Sequence, residues 1–214
     1  MGSQVQFMDS VKVSNDVVAP LENPELLARS LAGDRASREE LARACLARVR
    51  RTVFLSVPGS SDADDVAQNA MSRIFAALPG FRADAKLTTW IDRISVNAVR
   101  DYFRRRPILT ALLFASPSEL EAAPERFAPD VGWERRRLSE SLRGHLLRMR
   151  PQKRIALMLS VAYGYSVNEI AAMTDCSVET AKKRLQHGRR ELMSRVRKDS
   201  YLINVLKERG TCRT

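Results

Sequence analysis

Between Tyr165 and Leu192 the chain reads YSVNEIAAMTDCSVETAKKRLQHGRREL, and the second half of that stretch carries side chains suited to reading bases. Thr180, Lys182, Lys183, Arg184, Gln186, His187, Arg189 and Arg190 supply cationic and hydrogen-bonding groups to one side of a helical pattern. The cations can neutralise phosphates and release condensed counterions. A side chain that meets a base edge at two points contributes about 1–3 kcal/mol of discrimination. The chemistry implied is therefore recognition of duplex DNA. Bond making is not indicated: His145 and His187 lie apart in sequence with no paired acid in view, and no Gly-rich phosphate loop occurs. The chain is expected not to be an enzyme, and to need no cofactor, metal or small-molecule substrate.

Such a face must be held out from a folded body. Ser166 and Glu169 have the spacing of a capping box, in which each side chain satisfies the other residue's backbone N–H. Ile170, Ala171 and Met173 form the apolar side of that first helix, and small Ala171 lets a second helix cross closely. Thr174-Asp175-Cys176 is the turn. Ser177 caps the second helix, where Val178, Ala181 and Leu185 are expected on one buried face. Two short helices with a tight turn, the second showing a basic face, make a helix-turn-helix reader of the major groove. The competing reading is a helical hairpin whose charges are merely solvated.

The charge distribution favours the reader. Of the 36 Lys+Arg and 25 Asp+Glu in 214 residues, residues 1–130 hold 17 of each and are neutral. Residues 131–214 hold 19 and 8, so the whole net charge of +11 lies in the part with the helix-turn-helix. No run of apolar residues is long enough to span a membrane, and no secretion signal is visible. Cys45, Cys176 and Cys212 have neither a disulfide nor a zinc spacing, so a cytoplasmic protein with reduced thiols is expected. Cys176 reads as a small buried hydrophobe at the turn.

Residues 1–24 read as an N-terminal extension, weakly ordered over 1–23. Asn23-Pro24-Glu25 then opens a helix over about 24–32, and Ser37-x-x-Glu40 predicts a capping box for one over 37–56. Further helices are expected at 62–78, with Val66, Ala70, Ile74 and Leu78 inward, and at 87–105, with Trp90, Ile91, Ile94, Ala98 and Tyr102 inward. Residues 107–130 contain Pro107, Pro117, Pro124 and Pro129 without a clean period and read as a flexible linker. Helical patterns resume over 131–149 and 152–163. The expected architecture is all-α: two small helical domains, 25–106 and 131–198, joined by the linker 107–130, the C-terminal one a helix-turn-helix. A short tail, 199–214, follows.

The first domain adds an acidic-polar patch, Asp64, Asp65, Gln68 and Asn69, which suits a basic protein partner, although acids at a helix start also complement its dipole. Trp90 reads as a core tryptophan beside the loop 81–89. Arg93, Asn97, Arg100, Arg104, Arg105 and Arg106 share one broad helical side. Together, DADDVAQNAMSRIFAALPGFR, TTWIDRISVNAVRDYFRRR and LRMRPQKRIALMLSVAYGYSVNEIAAMTDCSVETAKKRLQHGRREL resemble the two conserved domains of an extracytoplasmic-function (ECF) sigma factor, over residues 25 to 197.

That resemblance implies roles. Asp64, Asp65 and Gln68 fall where the family docks on core RNA polymerase. Asn97 matches the asparagine beside the loop that captures a flipped base of the −10 element, and Phe81 with residues 82–88 helps form the pocket. Arg100, Arg104, Arg105 and Arg106 would hold neighbouring phosphates. Thr180, Lys182, Lys183, Arg184, Gln186, His187 and Arg189 fall on the helix that reads the −35 element of promoter DNA. The resemblance also implies an anti-sigma factor as a further partner. The chain departs from the pattern at Asp175 in place of the turn glycine, at Ala181 in place of a branched residue, and at His187-Gly188, where a bend or a close approach to DNA is expected. Lys183 and His187 replace commoner choices, so the family's −35 sequence preference does not carry over. The alternative is a stand-alone helix-turn-helix regulator binding an operator, which predicts a ligand pocket or dimerising surface before residue 130.

Overall fold

The structure, a computed structural model, describes residues 19–105 and 133–208, and these fall into two compact units. The linker 107–130, residues 1–18, Arg106 and Cys212 lie outside the described residues. Every regular element among the described residues is helical.

In the first unit a short 3-10 turn, Ala19–Glu22, precedes α1 (Pro24–Leu31), α2 (Arg35–Phe54), α3 (Ser60–Ala77) and α4 (Leu87–Arg105). The turn seats Leu21 in the core, so residues 19–22, expected to be weakly ordered, belong to the folded unit. Asn23 caps α1 as its sequence predicts, with Oδ1 accepting from the Glu25 N–H at 3.0 Å. The cap of α2 is a correction. Ser37 lies inside the helix, and Asp34 is the N-cap, accepting from the Ser37 N–H at 2.9 Å. The Ser37 side chain and backbone bonds hold the Asp34 carboxyl below its ordinary range. Asp34 prevails because an ionised carboxylate at the first turn meets both orphan donors and the helix dipole.

The core repeats at helical spacing. Leu41, Cys45, Val49 and Val53 of α2 meet Val66, Ala70 and Ile74 of α3 and Ile91 and Val99 of α4. Through this seam runs an ion pair that no local pattern announces. Arg48 Nε and Nη2 donate to the two carboxylate oxygens of Asp92 at 2.7 and 2.6 Å, with Asp92 fully buried. Burial drives the Cys45 thiol up to about 12, which leaves it an inert core hydrophobe.

The second unit contains α5 (Trp133–Leu147), α6 (Pro151–Ala162), α7 (Val167–Thr174), α8 (Val178–Val196) and α9 (Ser200–Glu208). Helix α6 is its axle: Ile155, Ala156, Leu157, Met158, Leu159 and Ala162 are all buried. It also buries Arg154, whose Nη1 donates to the carbonyls of Leu147 at 2.9 Å and Leu146 at 3.4 Å, where α5 ends. Lys153 reaches Glu191 at 2.9 Å, bracing α6 to α8, and Arg195, one turn further along α8, holds the same carboxylate at 3.0 Å. Burial works against ionised Glu191, but those bonds and charges outweigh it and keep its carboxyl below the ordinary range.

The helix α9 is absent from the expectation for 199–214. It forms because Asp199 precedes it and accepts from the Tyr201 and Leu202 N–H groups, both at 3.0 Å. Leu202 is fully buried, and Arg137 of α5 lies over the Tyr201 ring at 4.4 Å.

Candidate nucleic-acid interface

The helix-turn-helix is α7, its turn and α8. Both hydrogen bonds of the Ser166–Glu169 capping box are present, and Ser166 holds the Glu169 carboxyl below its ordinary range. Asp175 closes α7 in a left-handed conformation at φ 50°, ψ 60°, the role expected of it in place of glycine. Cys176 is half-buried, its sulfur 3.3 Å from the Thr174 hydroxyl. Ser177 caps α8 by accepting from the Thr180 N–H at 3.2 Å.

The buried stripe of α8 is Ala181, Leu185, Gly188, Leu192 and Val196. Two expectations are overturned here. Val178 does not share the buried face; it is 48% exposed, because the stripe covered by the other helices starts one turn later. Gly188 does not face DNA either. A Cβ built there would lie 3.3 Å from the Lys153 carbonyl oxygen and 3.5 Å from Met149 Cε, so the glycine is where α8 crosses α6. The helix continues through it to Val196.

Away from that stripe Lys182, Lys183, Gln186, His187, Arg189 and Arg190 are exposed and Arg184 is half-buried. Three of the predicted readers have local partners. The Thr180 hydroxyl shares a 2.8 Å hydrogen bond with Ser177 inside the cap. Arg189 Nη2 donates to Ser160 Oγ on α6 at 3.1 Å, which steadies its guanidinium. Lys183 lies 3.6 Å from Glu179, a pair exposed on both sides and therefore weak.

In the first unit Trp90, Arg93, Asn97, Arg100 and Arg104 follow one another along α4 at intervals of three and four, so one stripe gathers them. Arg105 lies off this stripe and is exposed. Arg100 Nη1 donates to Asn97 Oδ1 at 3.4 Å. Arg104 reaches Asp101 at 3.0 Å, and Arg73 of α3 holds the other oxygen of Asp101 at 2.8 Å. Trp90 is not the core residue expected; it is half-buried and packs on Phe81 with ring centroids 5.3 Å apart. Ile91 and Ala98 are buried as expected, Ile94 and Tyr102 are only half-buried, and the remaining core positions are Leu87, Thr88, Asp92, Ser95, Val96 and Val99. Between the two rings the loop exposes residues 82–86 and holds Ala83 at φ 59°, a conformation that costs a non-glycine residue about 1–2 kcal/mol.

Asp64, Asp65 and Gln68 lie exposed on α3, away from the core positions Val66, Ala67 and Ala70. Nearby Asp62 accepts from the Tyr102 hydroxyl at 2.9 Å, tying the start of α3 to α4. One further expectation is corrected. His145 does have an acid partner: its Nε2 lies 2.8 Å from Asp199 Oδ2, which also accepts from Ser141 Oγ at 2.9 Å. Burial raises the Asp199 carboxyl, but the bonds from His145, Leu202 and Ser141 outweigh it and leave the group below its ordinary range. The partners lie 54 residues apart, beyond any local pattern. Among the described residues no group of His, Cys, Asp and Glu could hold a metal, and no helix is long and apolar enough to cross a membrane.

Comparison with known proteins agrees with this arrangement. Residues 41–107 match Sigma-70 region 2, and residues 139–192 match Sigma-70 region 4. The ECF RNA polymerase sigma factor SigM of Mycobacterium tuberculosis is 31% identical over 175 residues, 79% of this chain and 82% of its own. The ECF RNA polymerase sigma-E factor of Escherichia coli K12 is 31% identical over 191 residues, 82% of this chain and 95% of its own. Among solved structures, CnrH in complex with the cytosolic domain of CnrY has a TM-score of 0.53 at 24% identity, covering 82% of this chain and 97% of that one. The sigma factor RpoE of Bartonella quintana, bound to the anti-sigma factor NepR, has a TM-score of 0.58 at 19% identity, covering 75% and 97%. At those identities the structures speak for the fold alone.

Proposed function

Because the chain belongs to the ECF RNA polymerase sigma factors, we propose that its two units divide promoter recognition between them, each through the exposed face described above. The protein is an alternative sigma factor: it binds core RNA polymerase, directs it to promoters through −10 and −35 elements and promotes strand opening. The operator-binding regulator is not favoured.

In this reading α8 enters the major groove of the −35 element. Lys182, Lys183, Gln186 and His187 meet base edges, while Arg184 and Arg189 approach phosphates and Thr180 serves through the cap. The observation that carries it is the exposed basic face of α8, held outward by two formed caps and a buried stripe. The α4 stripe acts where the strands separate. Asn97 and Phe81 border the place for an extruded −10 base, and Arg100, Arg104 and Arg105 hold the adjoining phosphates. Extrusion costs a few kcal/mol, offset by stacking and edge hydrogen bonds. Asp64, Asp65 and Gln68 dock on core polymerase.

The chain itself performs no reaction in this reading; the polymerase does the chemistry, in the cytoplasm. Two modest readers on one tether gain through effective concentration once both are seated on polymerase. An anti-sigma factor, the kind of partner bound by the Bartonella protein, would withhold this chain until a signal arrives.

A gel-shift experiment with the purified chain, core RNA polymerase and promoter fragments selected from genomic DNA tests the reading. The chain alone is expected to give no tight specific complex, and the reconstituted holoenzyme a specific one that weakens steeply with salt. Tight specific binding by the chain alone, without association with core enzyme, would overturn it.

A further inference from the structure

Val178 is one of two large hydrophobic residues that the described residues leave exposed; the other, Leu31, lies in the first unit. Single exposed apolar side chains are ordinary, but this one occupies a particular place. It is the first residue of α8, directly after the Ser177 cap. The N-terminal residues of a recognition helix are those that reach base edges. Val178, Lys182 and Gln186 follow at intervals of four, so the valine continues the predicted reading face at its leading end. Its partner can be deduced from what it lacks. Valine offers no hydrogen-bond donor or acceptor, and the C5-methyl of thymine is the one apolar group on a base edge in the major groove.

We infer that Val178 is a specificity residue, and that its methyl groups pack against the C5-methyl of a thymine in the −35 element. The inference rests on the proposed placement of α8 in the major groove. It goes further by assigning direct readout to a residue with no polar atom in its side chain. The neighbouring Lys182 and Gln186 then make hydrogen bonds to base edges around a methyl contact that selects one base pair. Uracil presents the same hydrogen-bonding edge as thymine without the methyl, so it isolates this contact.

The experiment is a scan of the −35 element in which each thymine, on either strand, is replaced in turn by uracil. Affinity is read with reconstituted holoenzyme carrying the natural chain, Val178→Ala or Val178→Thr. The natural chain should lose affinity at one thymine by roughly fourfold, the weight of one buried methyl-sized group. Val178→Ala should bind the thymine promoter more weakly by a similar factor and be indifferent to uracil there. Val178→Thr, which keeps one methyl, should retain the discrimination in part. Because Val178 is exposed, equal thermal melting of the three chains is expected and excludes a folding effect. If no thymine shows uracil sensitivity, or if Val178→Ala keeps it, the inference falls while specific promoter binding still supports the wider function. Loss of specific promoter binding by the natural holoenzyme would remove both.

Discussion

Removal of the Asp92 carboxylate should reveal how much of the first unit rests on its buried ion pair. In Asp92→Ala the buried Arg48, a residue only 5% exposed, loses two charge-assisted hydrogen bonds of 2.7 and 2.6 Å. Breaking a buried pair on one side costs about 3–5 kcal/mol, because the remaining charge stays desolvated. A domain of this size shifts its melting point by about 4–8 °C per kcal/mol, which gives a fall of about 12–40 °C. Against a total stability of about 5–15 kcal/mol this is a large fraction. The assay is thermal and urea unfolding followed by tryptophan fluorescence in a Trp133→Phe background, where Trp90 alone remains and reports the first unit. The double variant Arg48→Met with Asp92→Leu should recover at least about 2 kcal/mol of the loss, because apolar groups of similar size carry no stranded charge. A loss below about 1 kcal/mol for Asp92→Ala, or a double variant worse than the single one, would refute the reasoning.

Four further outcomes are expected. Gly188→Ala gains about 1 kcal/mol of helix propensity but overpacks against the Lys153 carbonyl for about 1–3 kcal/mol, so urea unfolding should show a net loss of up to about 2 kcal/mol. A gain would mean that α6 and α8 slide apart freely. Asp199 has a lowered carboxyl, so its stabilisation is complete above the unfolded value of 3.8 and disappears as pH falls through the lower folded value. The melting-point gap between the natural chain and Asp199→Ala should stay constant near neutrality and close below pH 3.8; a gap unchanged through that range would count against the ionised partner. Asn97→Ala should spare association with core polymerase but lower promoter opening, measured by permanganate reactivity of unpaired thymines; equal loss of core association would make Asn97 structural. Asp64→Lys with Asp65→Lys should weaken core association in a pull-down while circular dichroism stays helical, and unchanged association would return both acids to helix-dipole duty.

What the sequence revealed depended on range. Ser166, Glu169, Asp175 and Ser177 act within one turn of themselves, so their types and spacing suffice to predict both helices of the reader. Helix α4 was equally legible in its bounds. Its inward face was legible only in part: Ile91 and Ala98 are buried as expected, but Trp90, Ile94 and Tyr102 are half-buried, and Asp92, which polarity alone would send outward, is buried. The same limit hid Arg154, Arg48 and Asp199, whose partners come from other helices. Val178 and Gly188 exchanged places for a related reason: periodicity gives a stripe its spacing, but the neighbouring helices fix where it begins. The same principle makes the α4 stripe legible as a set of residues, while Phe81 against Trp90 needed the loop's path.

The bonds from Ser141 and His145 to Asp199 span 58 and 54 residues, so the opening helix of the second unit is completed by its closing one. A growing polypeptide delivers these partners at opposite ends of the unit's synthesis. Until Asp199 and Leu202 have emerged from the ribosome, α5 lacks its acid and part of its apolar cover. Contacts of such separation form after local ones, since loop closure must be met first. The nascent second unit should therefore pass through a stage in which the hairpin of α7 and α8 is already made and α5 is not yet fastened.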